Sequence, residues 1–112
     1  MKNFIQEGRI VTATMPYDRN SGEFVLIGTS LGGVCQNTVL SGGSNQIVRV
    51  GMFSGLAKAT GEAWTIGNDL YWDNTNKRFT TTSAGNTKAG VAMNAAASGD
   101  TTGNVLLPGK LL

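Results

Sequence analysis

Between residues 61 and 82 the chain reads GEAWTIGNDLYWDNTNKRFTTT, and no other segment constrains the fold as much. Residues 69–73 and 77–81 are two short runs of strand-forming side chains flanking Asn74-Thr75-Asn76. Asparagine favours tight turns because its side chain bonds its own backbone two residues on, so the two runs are expected to pair as an antiparallel hairpin. Gly67-Asn68 is a further turn signal just ahead of it. The segment holds both tryptophans and one of the two tyrosines, Trp64, Tyr71 and Trp72. The aromatic packing of the molecule is thus concentrated around one hairpin, as in a small β protein.

The rest of the chain repeats this grammar. Residues 9–15, 23–27, 32–36 and 46–53 read as strands ahead of the hairpin, and 87–93 and 103–107 as strands after it. The run of apolar neighbours at 23–27 suits a strand covered on both faces. In 46–53, alternation puts Ile47 and Phe53 on one face and Val48, Val50 and Met52 on the other. Residues 56–60 have the composition of a single helical turn, and Ala95-Ala96-Ala97 has helix propensity that Ser98-Gly99-Asp100 ends at once. No internal repeat or linker is evident. Glycine, 16 of 112 residues, is about twice its usual share and supplies the turns. The expected fold is all-β: one small barrel or sandwich of about seven short, mostly antiparallel strands with Gly-rich turns, spanning 9–112 behind an N-terminal arm, 1–8.

Several function classes drop out. The chain has no histidine, which removes Ser-His-Asp and Cys-His activation and the usual imidazole metal sites. Its single cysteine, Cys35, forms no internal disulfide and is expected to be a buried, inert thiol. The nearest approach to a phosphate-binding loop, residues 51–58, misplaces the second glycine and follows Lys58 with alanine. Asp69 and Asp73, on one strand face, stand about 13 Å apart by strand rise, too far for a catalytic pair. Asp73-Asn74-Thr75-Asn76 lacks the glycine and distal glutamate of a calcium loop. No apolar run approaches the length of a membrane span, and residues 1–9 lack a signal-peptide core. The expectation is no enzyme activity, no cofactor, no metal, no small molecule and no membrane partner.

Two features point toward partners. The formal charge is only +2, with basic residues scattered singly apart from Lys77-Arg78, which is a poor nucleic-acid surface. Residues 24–48 carry no charge at all, as an interior sheet or a surface covered by another subunit would require. Trp64, Tyr71 and Trp72 are candidate anchors for packing or a subunit interface. They are also the aromatics on which bases would stack in the alternative reading, a single-stranded nucleic-acid-binding or recombination accessory module.

The opening, Asn3-Phe4-Ile5-Gln6-Glu7-Gly8 with Met15-Pro16-Tyr17, Ser21-Gly22 and Val25-Leu26-Ile27-Gly28, resembles the phage capsid cement, or head decoration, family. Lys58-Ala59-x-Gly61-Glu62-Ala63-Trp64 and Gly67-x-Asp69-Leu70-Tyr71-Trp72-Asp73 are similar to its middle signature. Asn86-Thr87, Gly90-Val91-Ala92, residues 95–100 and Gly103-Asn104-Val105-Leu106-Leu107 resemble its closing phrase. Some relatives carry a recombinase label, which the missing phosphate loop argues against. The resemblance implies a structural protein on the outer surface of a mature phage head, made in the bacterial host cytoplasm. Its partners would be the major capsid protein and itself, as a homotrimer or a dimer. The N-terminal arm, with Lys2, Asn3, Phe4, Ile5 and Gln6, is the candidate contact with a capsid subunit or a neighbouring decoration subunit, because Phe4 and Ile5 suit an extended segment added to a sheet edge; the alternative is that Phe4 and Ile5 cap the domain's own core.

Overall fold

A computed structural model describes residues 10–28 and 31–108, and among these every regular element is a strand. The order is β1 (Ile10–Thr14), β2 (Phe24–Ile27), β3 (Leu31–Cys35), β4 (Ser44–Val48), β5 (Val50–Ala57), β6 (Asp69–Asp73), β7 (Arg78–Thr80), β8 (Thr87–Ala92) and β9 (Thr102–Pro108). They form two antiparallel sheets, β1-β4-β3-β2 and β5-β9-β8-β6-β7, packed as a sandwich rather than a closed barrel.

The predicted all-β class holds, with nine strands where about seven were expected. The expected strand 46–53 divides at Arg49: β4 belongs to the first sheet and β5 to the second. Alternation runs unbroken through that point, so the pattern carries no mark of the crossing. The helical turn expected at 56–60 is absent, because β5 continues to Ala57. Its register against β9 shifts between Phe53 and Leu56, where Gly55 has φ 72°, a conformation that suits glycine at a bulge.

The main core lies between the sheets. Phe24, Leu26 and Val34 from the first sheet meet Leu70, Trp72, Phe79, Val105 and Leu107 from the second. The Phe24 ring stands 4.7 Å from Trp72 and 4.9 Å from Phe79, and Trp72 and Phe79 are 5.1 Å apart, all tilted or edge-on as ring quadrupoles prefer. A second core occupies the other face of the first sheet, where Val25, Cys35 and Ile47 pack with Met15 under Val11, Tyr17 and Val39. Strands β2 and β3 are therefore buried on both faces, and this accounts for their lack of charge. Cys35 sits here, 2% exposed, and burial pushes its thiol up to about 11, as the expected inert state requires.

No repeat is legible in the sequence, yet the chain folds as two copies of one four-strand unit. Matching β1, β2, β3 and β4 to β5, β6, β8 and β9 turns the first sheet order into the second, with β7 as an addition. The loops match bond for bond. Arg19 and Val39 exchange both backbone hydrogen bonds, and so do Trp64 and Ala96. The Gly22 N–H donates to the Cys35 carbonyl at 2.8 Å, and Gly67 to Ala92 at 2.8 Å. The Cys35 N–H donates to the Glu23 carbonyl, and that of Ala92 to Asn68. In the sequence the only shared phrase of any length is Asn-x-x-x-Ser-Gly, at Asn37 to Gly42 and again at Asn94 to Gly99.

Candidate functional site

The residues singled out from the sequence resolve into two clasps and one open face. In the first clasp, Tyr17 ties the sheets together. Its hydroxyl accepts the Leu26 N–H on the edge strand β2 (3.1 Å) and donates to Asn74 Oδ1 (3.0 Å), which also accepts Trp72 Nε1–H (3.0 Å). The Tyr17 ring is flanked by cations, the Lys77 ammonium 4.4 Å and the Arg19 guanidinium 5.2 Å from its centroid. A pocket of about 230 Å³ opens beside it, lined by buried Phe24, Leu56 and Trp72 and half-buried Arg19, Glu23 and Lys77.

Asp73 shapes the hairpin turn. Its carboxylate accepts the N–H groups of Thr75 (3.0 Å) and Asn76 (3.1 Å) and the Asn76 side-chain amide (2.8 Å). The Asn76 side chain, more than any other group, holds this carboxyl below its ordinary range. Asp69 pairs with Lys88 at 3.3 Å on the exposed surface. The two aspartates thus serve a turn and an ion pair. Among the described residues no group of three or more His, Cys, Asp or Glu is arranged to hold a metal.

The second clasp joins the loop 58–64 to its neighbours. Lys58 is 3% exposed, and its ammonium donates to the carbonyls of Ala59 (3.0 Å), Glu62 and Asp100 (3.4 Å), with the Trp64 ring 5.5 Å away. The Glu62 carboxylate accepts Trp64 Nε1–H (3.0 Å), the Thr80 hydroxyl (2.8 Å) and the Thr81 N–H (2.8 Å). Trp64 lies against Gly103, where a Cβ would come within 2.5 Å of the indole. Sequence reasoning missed Lys58 and Glu62 as structural groups. The available signal was a lysine inside an apolar run, four residues before a glutamate and six before a tryptophan.

This clasp makes stability depend on pH. Burial raises the Glu62 carboxyl, but its hydrogen bonds from Trp64, Thr81 and Thr80 outweigh that and set it below its ordinary 4.5. The unfolded chain therefore binds the proton more readily, so the contribution is fully present above pH 4.5 and is lost as pH falls through the lower folded value. The melting temperature of the wild type should fall as pH drops below about 4.5. Glu62→Gln should start lower and show a shallower acid slope, measured by circular dichroism between pH 3 and 7; equal slopes would contradict the assignment.

Of the three candidate anchors, Trp64 (1% exposed) and Trp72 (2%) lie in the main core, while Tyr71 is half-buried on the opposite face of β6. Neither indole is open to a stacking base. Tyr71 pairs with Lys88, whose ammonium holds Asp69, and beyond that ion pair the outer face of the second sheet carries apolar side chains. The pairings Met52↔Leu106 and Leu106↔Val91 set these residues in one row, ending at Asp69 opposite Val91. Met52 is 60% exposed. The candidate capsid contacts Lys2, Asn3, Phe4, Ile5 and Gln6 lie outside the described residues.

No curated protein and no solved structure matches this chain. A family model described as phage cement protein matches residues 5–107, all but the first four and last five positions. The match takes in both sheets, both clasps and the hairpin, in agreement with the resemblance read from the ordered phrases. The chain belongs to the phage cement protein family, a structural family of the phage capsid.

Proposed function

We propose that this protein is a head decoration protein that binds the outer surface of the mature capsid as a homotrimer and stabilises the shell. The observation that carries this reading is the family match over residues 5–107. The architecture supports it. Two cores and two clasps make a stiff body, which reinforcement needs, and a modest free energy per copy is multiplied over a lattice of binding sites. The partner is the major capsid protein. Trp64 and Trp72 act as packing anchors, and the N-terminal arm adds a strand to a capsid subunit through Lys2, Asn3, Phe4, Ile5 and Gln6.

Co-sedimentation of the purified protein with expanded heads lacking it tests the reading. The wild type should saturate the heads, with an affinity that changes little between low and physiological salt because few charges take part. A protein held by nucleic acid would weaken steeply. Deleting residues 2–6 should leave a folded domain that binds heads at least tenfold more weakly. Unchanged decoration by the truncated protein would remove the arm from the contact.

A further inference from the structure

Strand β2 is a sheet edge without the usual protection. It ends the first sheet, and its four residues, Phe24-Val25-Leu26-Ile27, are apolar, strand-forming and free of charge and proline. Its register against β3 runs without a bulge. Bare edges of this kind pair with one another, and proteins ordinarily blunt them with a charge, a proline or a bulge.

The cover comes instead from the loop ahead of β2. The Cys35 N–H donates to the Glu23 carbonyl, so alternation turns the main-chain groups of Val25 toward β3 and those of Phe24 and Leu26 outward. Side chains take two of these four outward groups. An Arg19 guanidinium N–H donates to the Phe24 carbonyl at 3.2 Å, and the Tyr17 hydroxyl accepts the Leu26 N–H at 3.1 Å. Arg19 is held in turn by the Asp18 carbonyl (2.9 Å) and the Glu23 carboxylate (3.7 Å), and Tyr17 by Asn74 (3.0 Å).

The second unit meets the same need with a strand. The pairs Phe24↔Val34 and Val25↔Gly33 match Asp69↔Val91 and Leu70↔Gly90, so Leu26 corresponds to Tyr71 and Ile27 to Trp72. At Tyr71 the edge is occupied by β7, through Thr80. The loop 58–64, the counterpart of the loop before β2, then seals β7: the Ala59 N–H donates to the Phe79 carbonyl and the Glu62 carboxylate accepts the Thr81 N–H, both at 2.8 Å. The Tyr17 hydroxyl thus stands where its twin unit has a strand.

We propose that β2 is a strand-accepting edge held shut by Tyr17 and Arg19, and that the partner it excludes is β2 of a second copy. Two such edges are uncharged and run antiparallel when a twofold axis relates them, which makes the contact self-complementary.

Amide exchange and light scattering test this. Tyr17→Phe keeps the ring and removes the hydroxyl, so exchange at the Leu26 N–H should rise at least tenfold more than at Val25, whose N–H faces β3. Equal changes at both would mean that the hydroxyl seals nothing, and would overturn the proposal. Tyr17→Ala/Arg19→Ala removes the cover. Shown to be folded by circular dichroism, it should associate beyond the wild-type mass as its concentration rises. Adding Ile27→Lys, a charge on the edge strand, should return it to the wild-type mass. Val105→Ala leaves a cavity in the main core with both caps intact, and should keep the wild-type mass. The proposal is also overturned if the folded double variant keeps the wild-type mass at every concentration, if Ile27→Lys does not reverse its association, or if Val105→Ala associates as strongly. Should the alanine pair not fold, Tyr17→Phe/Arg19→Ala is judged by the same outcomes.

Discussion

Trp72→Ala should unfold the domain at growth temperature or lower its melting temperature by at least ~12 °C. Trp72 is 2% exposed, stands within 5.1 Å of the Phe24 and Phe79 rings, and bonds the Asn74 oxygen that Tyr17 shares. Truncating a buried tryptophan costs about 3–5 kcal/mol, through lost transfer energy and the cavity left behind. The lost ring contacts fall in the core between the two sheets, and Asn74 loses one of its two donors. A domain of this size has only about 5–15 kcal/mol to spare, and each kcal/mol moves the melting point by roughly 4–8 °C. Tyr17→Phe keeps the ring and removes only the two hydroxyl bonds, so it should cost far less, about 1–2 kcal/mol. If Trp72→Ala melts within a couple of degrees of wild type, the aromatic cluster is not what joins the sheets.

The second large effect is expected at Lys58. A buried ammonium is tolerated only when its donors are answered, and here three carbonyls answer them. Lys58→Ala removes these bonds, strands the carbonyls of Ala59, Glu62 and Asp100, and opens a void beside Trp64. Charge-assisted bonds contribute about 1.5–3 kcal/mol, and unanswered buried acceptors add to the loss, so a cost of about 3–4 kcal/mol is expected. Lys58→Met restores most of the volume but none of the donors, and should recover less than half of it. Amide exchange should rise first at Gly61 and Trp64, whose N–H groups bond the Ser98 and Ala96 carbonyls across this seam. A Met variant as stable as wild type would mean that the lysine is held by packing alone.

Local chemistry was legible in the sequence wherever it was self-contained. Asp73, Asn74 and Asn76 specify the β6–β7 turn through bonds within four residues, and the hairpin lies where those residues predict it, except that Lys77 joins the turn with φ 56° instead of starting β7. The doubly covered β2 followed from its unbroken apolar run. What stayed hidden depends on distant partners. The crossing at Arg49 is set by which sheet each half of the segment joins, and Ile47 and Phe53 keep their alternation while entering different cores. The duplication is invisible because equivalent positions hold unrelated side chains: Arg19 answers to Trp64, Cys35 to Ala92, Ile27 to Trp72. Those pairs share only a backbone role. The roles of Lys58 and Glu62 stayed hidden because Lys58 is answered by main-chain carbonyls, which no residue pattern shows, and Glu62 by Thr80 and Thr81 from a distant strand end as well as by nearby Trp64.

The most direct test of the account is electron cryomicroscopy of expanded heads with and without added protein. The difference map should contain density only on the outer surface of the shell, repeated at equivalent lattice positions, into which three copies of the two-sheet body fit. Density inside the shell, at the portal alone, or absent at saturating protein would contradict a decorating role.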